Sequence, residues 1–489
     1  MNNFFEILDK YKSLQKSALI EESKSISYEE LFNLCTSLSS FLCKNQIHKG
    51  ERVAIFIPNS IEFAVSFFSC LNLGAVAVPI NPKFKKYEIE YFINDSEPKL
   101  IITSDILKTL LLTVNKELKS RTISISGKNP DFNLHELICS DRILNPNSTS
   151  ETDKAVYLYS TGSTGNPKRV TRTHKNLITL ANNHSETVGL DESEKILFTL
   201  PISHTYALGN FISAIKSGMT CYLLEDFNRK KVTEIIIKQQ ITIYPCVPFI
   251  LDILAESNID PDTFKSLKLV ISAGAALSKE IFDKFSNKFA KHPRQLYGSS
   301  ETGVISINLS SNIENTSDSV GRPVKGVTVK IVTDEGKEAD TGELGEIIVK
   351  SETMTNGYDN MPQETKEVFK DGFYYTGDLG YMDNDGMIYI KGRKKLMINI
   401  SGNKVDPVEI ENILTSHPKI HESAVVGITD QNSTEIVKAF IVCDENIERK
   451  DIIQYLMNQV SDYKIPKLIE FVQSIPKSPT GKILRNKLK

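Results

Sequence analysis

The chain has no CxxC pair, no Cys/His cluster, no uninterrupted apolar run of membrane length and almost no charge bias, and each absence removes a class of protein. Seven cysteines, Cys35, Cys43, Cys70, Cys139, Cys221, Cys246 and Cys443, lie scattered without zinc-like spacing. That pattern predicts reduced thiols in a cytoplasmic protein and no structural metal. Lys and Arg number 58 against 61 Asp and Glu, a formal net charge of -3, so no nucleic-acid partner is expected. The most apolar stretch, 53–80, is broken by Pro58, Asn59, Glu62, Asn72 and Gly74. It reads as buried core rather than as a membrane span of roughly 20 residues. Glu6, Asp9 and Lys10 interrupt the only candidate leader, so no export signal is expected. No internal repeat or low-complexity tract is present either.

What the sequence does contain is α/β grammar. At 489 residues the chain exceeds what one hydrophobic core supports, so at least two domains are expected. Ser27 and Glu30 form a capping box ahead of Leu31, Leu34, Cys35, Leu38, Phe41 and Leu42 at helical spacing. An apolar run at 53–57, a helical stretch over 60–73 stopped by Gly74, and a second apolar run at 75–80 then predict a βαβ unit. Similar strands are expected at 100–102 and 267–272, the latter followed by a helix starting near Ser278, which together imply parallel sheets flanked by helices. Between 326 and 350 the short alternating runs predict a small antiparallel unit. Beyond 399, helices at 408–414 and 451–460 and strands at 424–426 and 437–442 predict a compact α+β domain.

One stretch carries chemistry on its face. Tyr159-Ser160-Thr161-Gly162-Ser163-Thr164-Gly165-Asn166-Pro167-Lys168 follows an apolar run. Its glycines let backbone N–H groups approach phosphate oxygens, while its hydroxyls and Lys168 add donors and positive charge. Its spacing is not that of the GxxxxGK[ST] phosphate loop, and a Gly/Ser surface turn is the alternative reading.

The stretch resembles the phosphate loop of the adenylate-forming superfamily, which joins acyl-CoA synthetases, adenylation domains of nonribosomal peptide synthetases and firefly luciferases. Further motifs follow in that family's order. Tyr297-Gly298-Ser299-Ser300-Glu301 resembles the motif whose aromatic ring packs on adenine, whose residue before the acid contacts phosphate and whose acid holds Mg2+; Ser300 replaces the usual threonine but keeps the hydroxyl. Tyr375-Thr376-Gly377-Asp378 resembles the ribose-binding motif, Gly392-Arg393-Lys394-Lys395 the domain hinge, and Pro479-Thr480-Gly481-Lys482 the loop carrying a catalytic lysine. Gly274-Ala275-Ala276 resembles the adenine-side turn.

The resemblance implies an α/β fold with a large amino-terminal domain, 1–394, of two α/β subdomains plus a small β-barrel-like unit. A small mobile α+β domain, 395–489, would carry Lys482. It implies ATP, Mg2+ and a small-molecule carboxylic acid as ligands, with Lys482, Lys168 and Mg2+ on Glu301 offsetting the repulsion between carboxylate and α-phosphate. Asp378 would accept from both ribose hydroxyls and Arg393 would support it.

Leu200-Pro201-Ile202-Ser203-His204-Thr205-Tyr206 sits where the family gates its acid site, making His204 the gate candidate. Amino-acid-activating relatives carry an aspartate beside this position. Here Thr205 and Tyr206 follow, with no acid until Glu225. An aryl, cinnamyl-like or fatty acid is therefore expected, in a pocket including His204, Thr205, Phe211, Val247 and Gly298. Ser401-Gly402 resembles the loop lining the pantetheine tunnel, with coenzyme A or the phosphopantetheine of an acyl carrier protein as acceptor.

Overall fold

The computed structural model describes all residues except 1, 23, 85, 115, 132, 135–148, 161–166, 395, 401–402, 430–434, 445–446, 458, 461, 478–482 and 489. Ser27 caps the helix Tyr28–Lys44 as expected: its hydroxyl accepts from the Glu30 amide at 3.1 Å, and the Glu30 carboxylate accepts from the Ser27 amide at 2.7 Å. The strand Arg52–Phe56, the helix Ile61–Leu73 and the strand Val76–Pro79 then form the βαβ unit, the two strands pairing in parallel. Every residue of Ile61–Leu73 is buried, and Gly74 ends the helix at φ +71°. Burial of Phe63, Phe67 and Phe68 alone contributes about 1.5–3 kcal/mol each.

Two large sheets follow from this grammar. The six-stranded one runs, in spatial order, Thr122–Ser126, Leu100–Ser104, Arg52–Phe56, Val76–Pro79, Lys154–Ser160 and Lys168–Thr173; only the last pair is antiparallel. The nine-stranded one has a parallel centre, Arg294–Ser299, Leu269–Ser272, Ile243–Cys246, Lys195–Phe198, Thr220–Leu223 and Ser17–Glu21. Antiparallel strands Gly303–Ile307 and Arg322–Pro323 flank it on one side and Lys24–Ser27 on the other. The strand Ser17–Glu21 comes from the far end of the chain. Sequence alone gave no sign of that crossing, because its partner is chosen by tertiary packing.

The antiparallel unit is a five-stranded sheet of Val327–Val332, Gly345–Ser351, Phe369–Lys370, Phe373–Met382 and Ile388–Arg393. It buries its own cluster, including Ile305, Ile331, Ile347 and Ile388. The small carboxy-terminal domain has a separate core of Ile398, Val405, Ile410, Leu414, Val425 and neighbours. Its strand Ile420–Thr429 is longer than the three residues expected, since it pairs along Glu435–Cys443. Its helix Arg449–Met457 starts two residues before the expected position. No described helix is long and apolar enough to cross a membrane.

Candidate active site

The antiparallel sheet and the nine-stranded sheet bring three polar side chains together. Tyr297, on Arg294–Ser299, donates its hydroxyl to Asp378 Oδ2 at 2.6 Å, and Arg393 Nε donates to Asp378 Oδ1 at 2.7 Å. Asp378 and Arg393 are cross-strand partners in adjacent antiparallel strands, so their contact follows from register. Gly377, just before it, takes φ +73°, a conformation that favours glycine, and the Asp378 amide donates to Thr376 Oγ1 at 3.0 Å. Burial, then Asp378, pushes the Tyr297 phenol well above its ordinary value. Burial would lower the Arg393 guanidinium, but Asp378 beside it holds it above its usual range.

The strands Lys154–Ser160 and Lys168–Thr173 form a hairpin with Ser160 opposite Lys168; Thr161, Gly162, Ser163, Thr164 and Gly165 lie outside the described residues. Its base is fastened to the helix Lys86–Ser96. Tyr91 donates to the Pro167 carbonyl at 2.7 Å, Tyr159 to Asp95 Oδ2 at 2.7 Å, and Arg169 Nη1 to the Asp95 carbonyl at 2.6 Å. Lys168 Nζ stands 4.6 Å over the ring of Tyr358, and the Tyr358 hydroxyl donates to Glu301 Oε1 at 2.8 Å. Glu301 is 6% exposed. Burial, then the Glu301 charge, raises the Tyr358 phenol.

Arg172 completes this end. It is 1% exposed, and its Nη2 donates to the Ser300 carbonyl at 2.7 Å. Burial lowers its guanidinium to about 10, with Glu301 opposing the shift. It is still a cation at neutral pH. Neither Arg172 nor Tyr358 was foreseen, although alternation along the strand gave one signal: Arg172 lies two residues from fully buried Val170 and shares its face.

These groups fit Mg2+. A single buried carboxylate with one oxygen already taken suits a hard cation held mainly through phosphate oxygens. Among the described residues no trio of His, Cys, Asp or Glu could hold a metal by itself.

His204, the expected gate residue, caps the helix Thr205–Lys216, its Nδ1 accepting from the Tyr206 amide at 3.4 Å. Thr205 Oγ1 lies 2.9 Å from Ser300 Oγ, which joins the gate motif to the Glu301 motif. Gly298 passes so close to the next strand that an added Cβ would sit 2.4 Å from the Gly303 carbonyl oxygen. Gly274, Ala275 and Ala276 form an exposed turn after Leu269–Ser272. Gly274, at φ +85°, has Val247 as its neighbour: a Cβ there would lie 3.7 Å from Val247 Cγ1. Phe211 is placed in the core instead, fully buried between Phe68 and Phe198.

Lys395, Ser401, Gly402 and Lys482 lie outside the described residues. Close to Lys482 in sequence, Arg485 Nη2 donates to Glu411 Oε1 at 2.6 Å, and its Nε donates to the Val425 carbonyl at 3.3 Å. The terminal segment is thereby tied to the small domain's helix Pro407–Thr415. Near the hinge position, a Cβ at Gly392 would lie 2.8 Å from Asp406 Oδ2, and burial raises the Asp406 carboxyl to about 6.

The family described as AMP-binding enzyme matches residues 8–359, and the AMP-binding enzyme C-terminal domain matches residues 409–482. The chain belongs to this adenylate-forming family. It is an AMP-forming acid–CoA ligase of the acyl-CoA synthetase type, using ATP and coenzyme A. Among its relatives is the long-chain-fatty-acid–CoA ligase of Bacillus subtilis, 32% identical over 512 residues, covering 97% of this chain and 91% of that one. The 4-coumarate–CoA ligase 3 of Arabidopsis thaliana is 32% identical over 487 residues, covering 95% and 86%. ATP-bound MatB of Rhodopseudomonas palustris superposes with a TM-score of 0.91 at 27% identity, covering 100% of this chain and 98% of that one.

Proposed function

We propose that the enzyme activates an aryl, cinnamyl-like or fatty acid as its acyl-adenylate and passes the acyl group to coenzyme A. The observation that carries this reading is the Tyr297–Asp378–Arg393 cluster. Its donors and acceptors stand across Tyr374 from the Lys168–Tyr358–Glu301 group, because Tyr374 interacts with Glu301 and Tyr358 as well as with Asp378 and Arg393. A substrate oxygen attacks the α-phosphorus of ATP, the bond to the β-phosphate oxygen breaks, and pyrophosphate leaves. Asp378 accepts from the ribose hydroxyls, Tyr297 flanks the base, and the hydroxyl-rich loop at 161–165 with Lys168 receives the polyphosphate. Glu301 would hold Mg2+, which supplies charge neutralisation on the phosphates. Lys482 steadies the charge developing at the α-phosphate. The thiol then attacks the acyl carbonyl, AMP leaves, and the thiol proton passes to solvent.

The choice of acid class rests on what surrounds the gate. No carboxylate lies near His204 in sequence to pair with a substrate ammonium, and Val247 and exposed Phe249 offer apolar surface. The relatives named for long-chain fatty acids and 4-coumarate fit this class. The two half-reactions need two faces of the small domain, so we assign 1–394 and 395–489 as alternating units that pivot at Lys395, with Ser401 and Gly402 lining the thiol path.

The test is carboxylate-dependent pyrophosphate release across an acid panel, with and without coenzyme A. Release with hydrophobic acids and thioester formation on coenzyme A are expected. Preference for amino acids would sink the substrate assignment, and thioester formed only on a holo carrier protein would replace the acceptor.

A further inference from the structure

Arg172 is the largest side chain in the fully buried interior, and nothing in the proposed chemistry uses it. Burying a cation costs several kcal/mol unless it finds partners. Its Nη2 has one, the Ser300 carbonyl, and its Nη1 has no hydrogen-bond partner among the described residues. The charge lies close enough to Glu301 for the two to interact. The residue it holds, Ser300, faces two ways. Its hydroxyl meets Thr205 at the acyl gate at 2.9 Å, while its carbonyl leads directly into Glu301, which Tyr358 holds at 2.8 Å. Gly303 keeps the space open, since a Cβ there would stand 2.5 Å from Leu180 and 3.6 Å from Arg172 Nη2.

We propose that Arg172 is a positioning residue that clamps the Ser300–Glu301 turn, so that the metal-binding carboxylate and the acid-gate hydroxyl are held by one anchor. Tyr358 acts on the Glu301 end alone and Thr205 on the acid end alone; Arg172 acts on both because it grips the peptide between them. This rests on the functional reading above and adds a coupling to it.

Four substitutions separate the roles. Arg172→Met should raise both the Mg2+ needed for half-maximal ATP binding and the KM for the acid by about 10–100-fold, the range set by one lost charge-assisted hydrogen bond. Tyr358→Phe should move only the Mg2+ requirement, and Thr205→Val only the acid KM. Arg172→Lys keeps a cationic donor and should fall between wild type and Met at both ends. ATP binding is read by calorimetry with and without Mg2+, independently of turnover, and melting temperatures identify misfolded variants.

If Arg172→Met does not fold, Arg172→Lys carries the test and should still shift both constants together. Unchanged constants, a shift at one end only, or a Lys variant as impaired as Met would each overturn the proposal. If the wild-type enzyme releases no pyrophosphate with any acid, the functional reading fails instead. In that case calorimetry of ATP with and without Mg2+, and of the acid in the presence of ATP, still reads both ends of the clamp.

Discussion

The Tyr297 hydroxyl lies 2.6 Å from a carboxylate oxygen of Asp378, so the side chain assigned to adenine and the one assigned to ribose are joined directly. Asp378 also takes the Arg393 guanidinium at 2.7 Å, which makes it the centre of the cluster proposed to hold the nucleoside.

Asp378→Ala should therefore raise the KM for ATP by about 10–100-fold, the effect of losing charge-assisted hydrogen bonds. The ranking of acids should stay the same. Steady-state kinetics over the acid panel decide it: altered acid preference with intact ATP affinity would place Asp378 elsewhere.

Glu301→Gln keeps an acceptor for Tyr358 but removes the charge. Adenylation should fall by about 10²–10³-fold, as when one preorganised charged group is lost from a site, with circular dichroism unchanged. Full activity at limiting Mg2+ would refute the assignment.

Two buried histidines make stability depend on pH. Burial lowers His174 and His184 from 6.5 to about 4, so the unfolded chain takes up protons first on acidification. Their contribution is present above pH 6.5 and lost as pH falls toward 4. His184→Asn leaves a polar partner near Ser213, whose hydroxyl lies 3.2 Å from His184 Nδ1. It should flatten the stability slope in that window by up to about 1.4 kcal/mol per pH unit. Denaturant midpoints measured between pH 4 and 7 check it; an unchanged slope would count against a neutral buried His184.

Lys482→Ala should depress adenylation by about 10²–10³-fold while leaving thioester formation from supplied acyl-adenylate nearly intact. Lys395→Pro should do the reverse, because fixing φ restricts the pivot. Equal slowing of both half-reactions in both variants would rule out domain alternation here.

The fold was legible wherever local pattern and tertiary fate agree. Ser27 and Glu30 announced the helix Tyr28–Lys44, and Gly74 announced the end of Ile61–Leu73, because caps and stops are chemistry between near neighbours. Motifs singled out Tyr297, Glu301, Asp378 and Arg393 and paired Arg393 with Asp378, but the direct bond from Tyr297 to Asp378 had no sign in the sequence. Arg172 and Tyr358 stayed hidden for a similar reason. Arg172 stands in a strand with Lys168, Arg169, Thr171 and Thr173, a composition that reads as solvent-facing. The hydrogen-bond partner of its side chain, the Ser300 carbonyl, lies 128 positions away. Tyr358 meets Glu301 across 57 positions, from a segment with no regular pattern of its own.

The strand Ser17–Glu21 completes the nine-stranded sheet by pairing Leu19 with Cys221 in parallel. During synthesis at about 5–20 residues per second, that early strand must wait on the order of ten seconds or more for its partner to leave the ribosome. Lys24–Ser27 folds back on it as an antiparallel neighbour and can occupy one of its edges in the meantime. The hairpin pairs one edge of Ser17–Glu21 with a near neighbour and leaves the other for Cys221, so until that partner is made the strand presents an open edge of the kind that pairs with other chains.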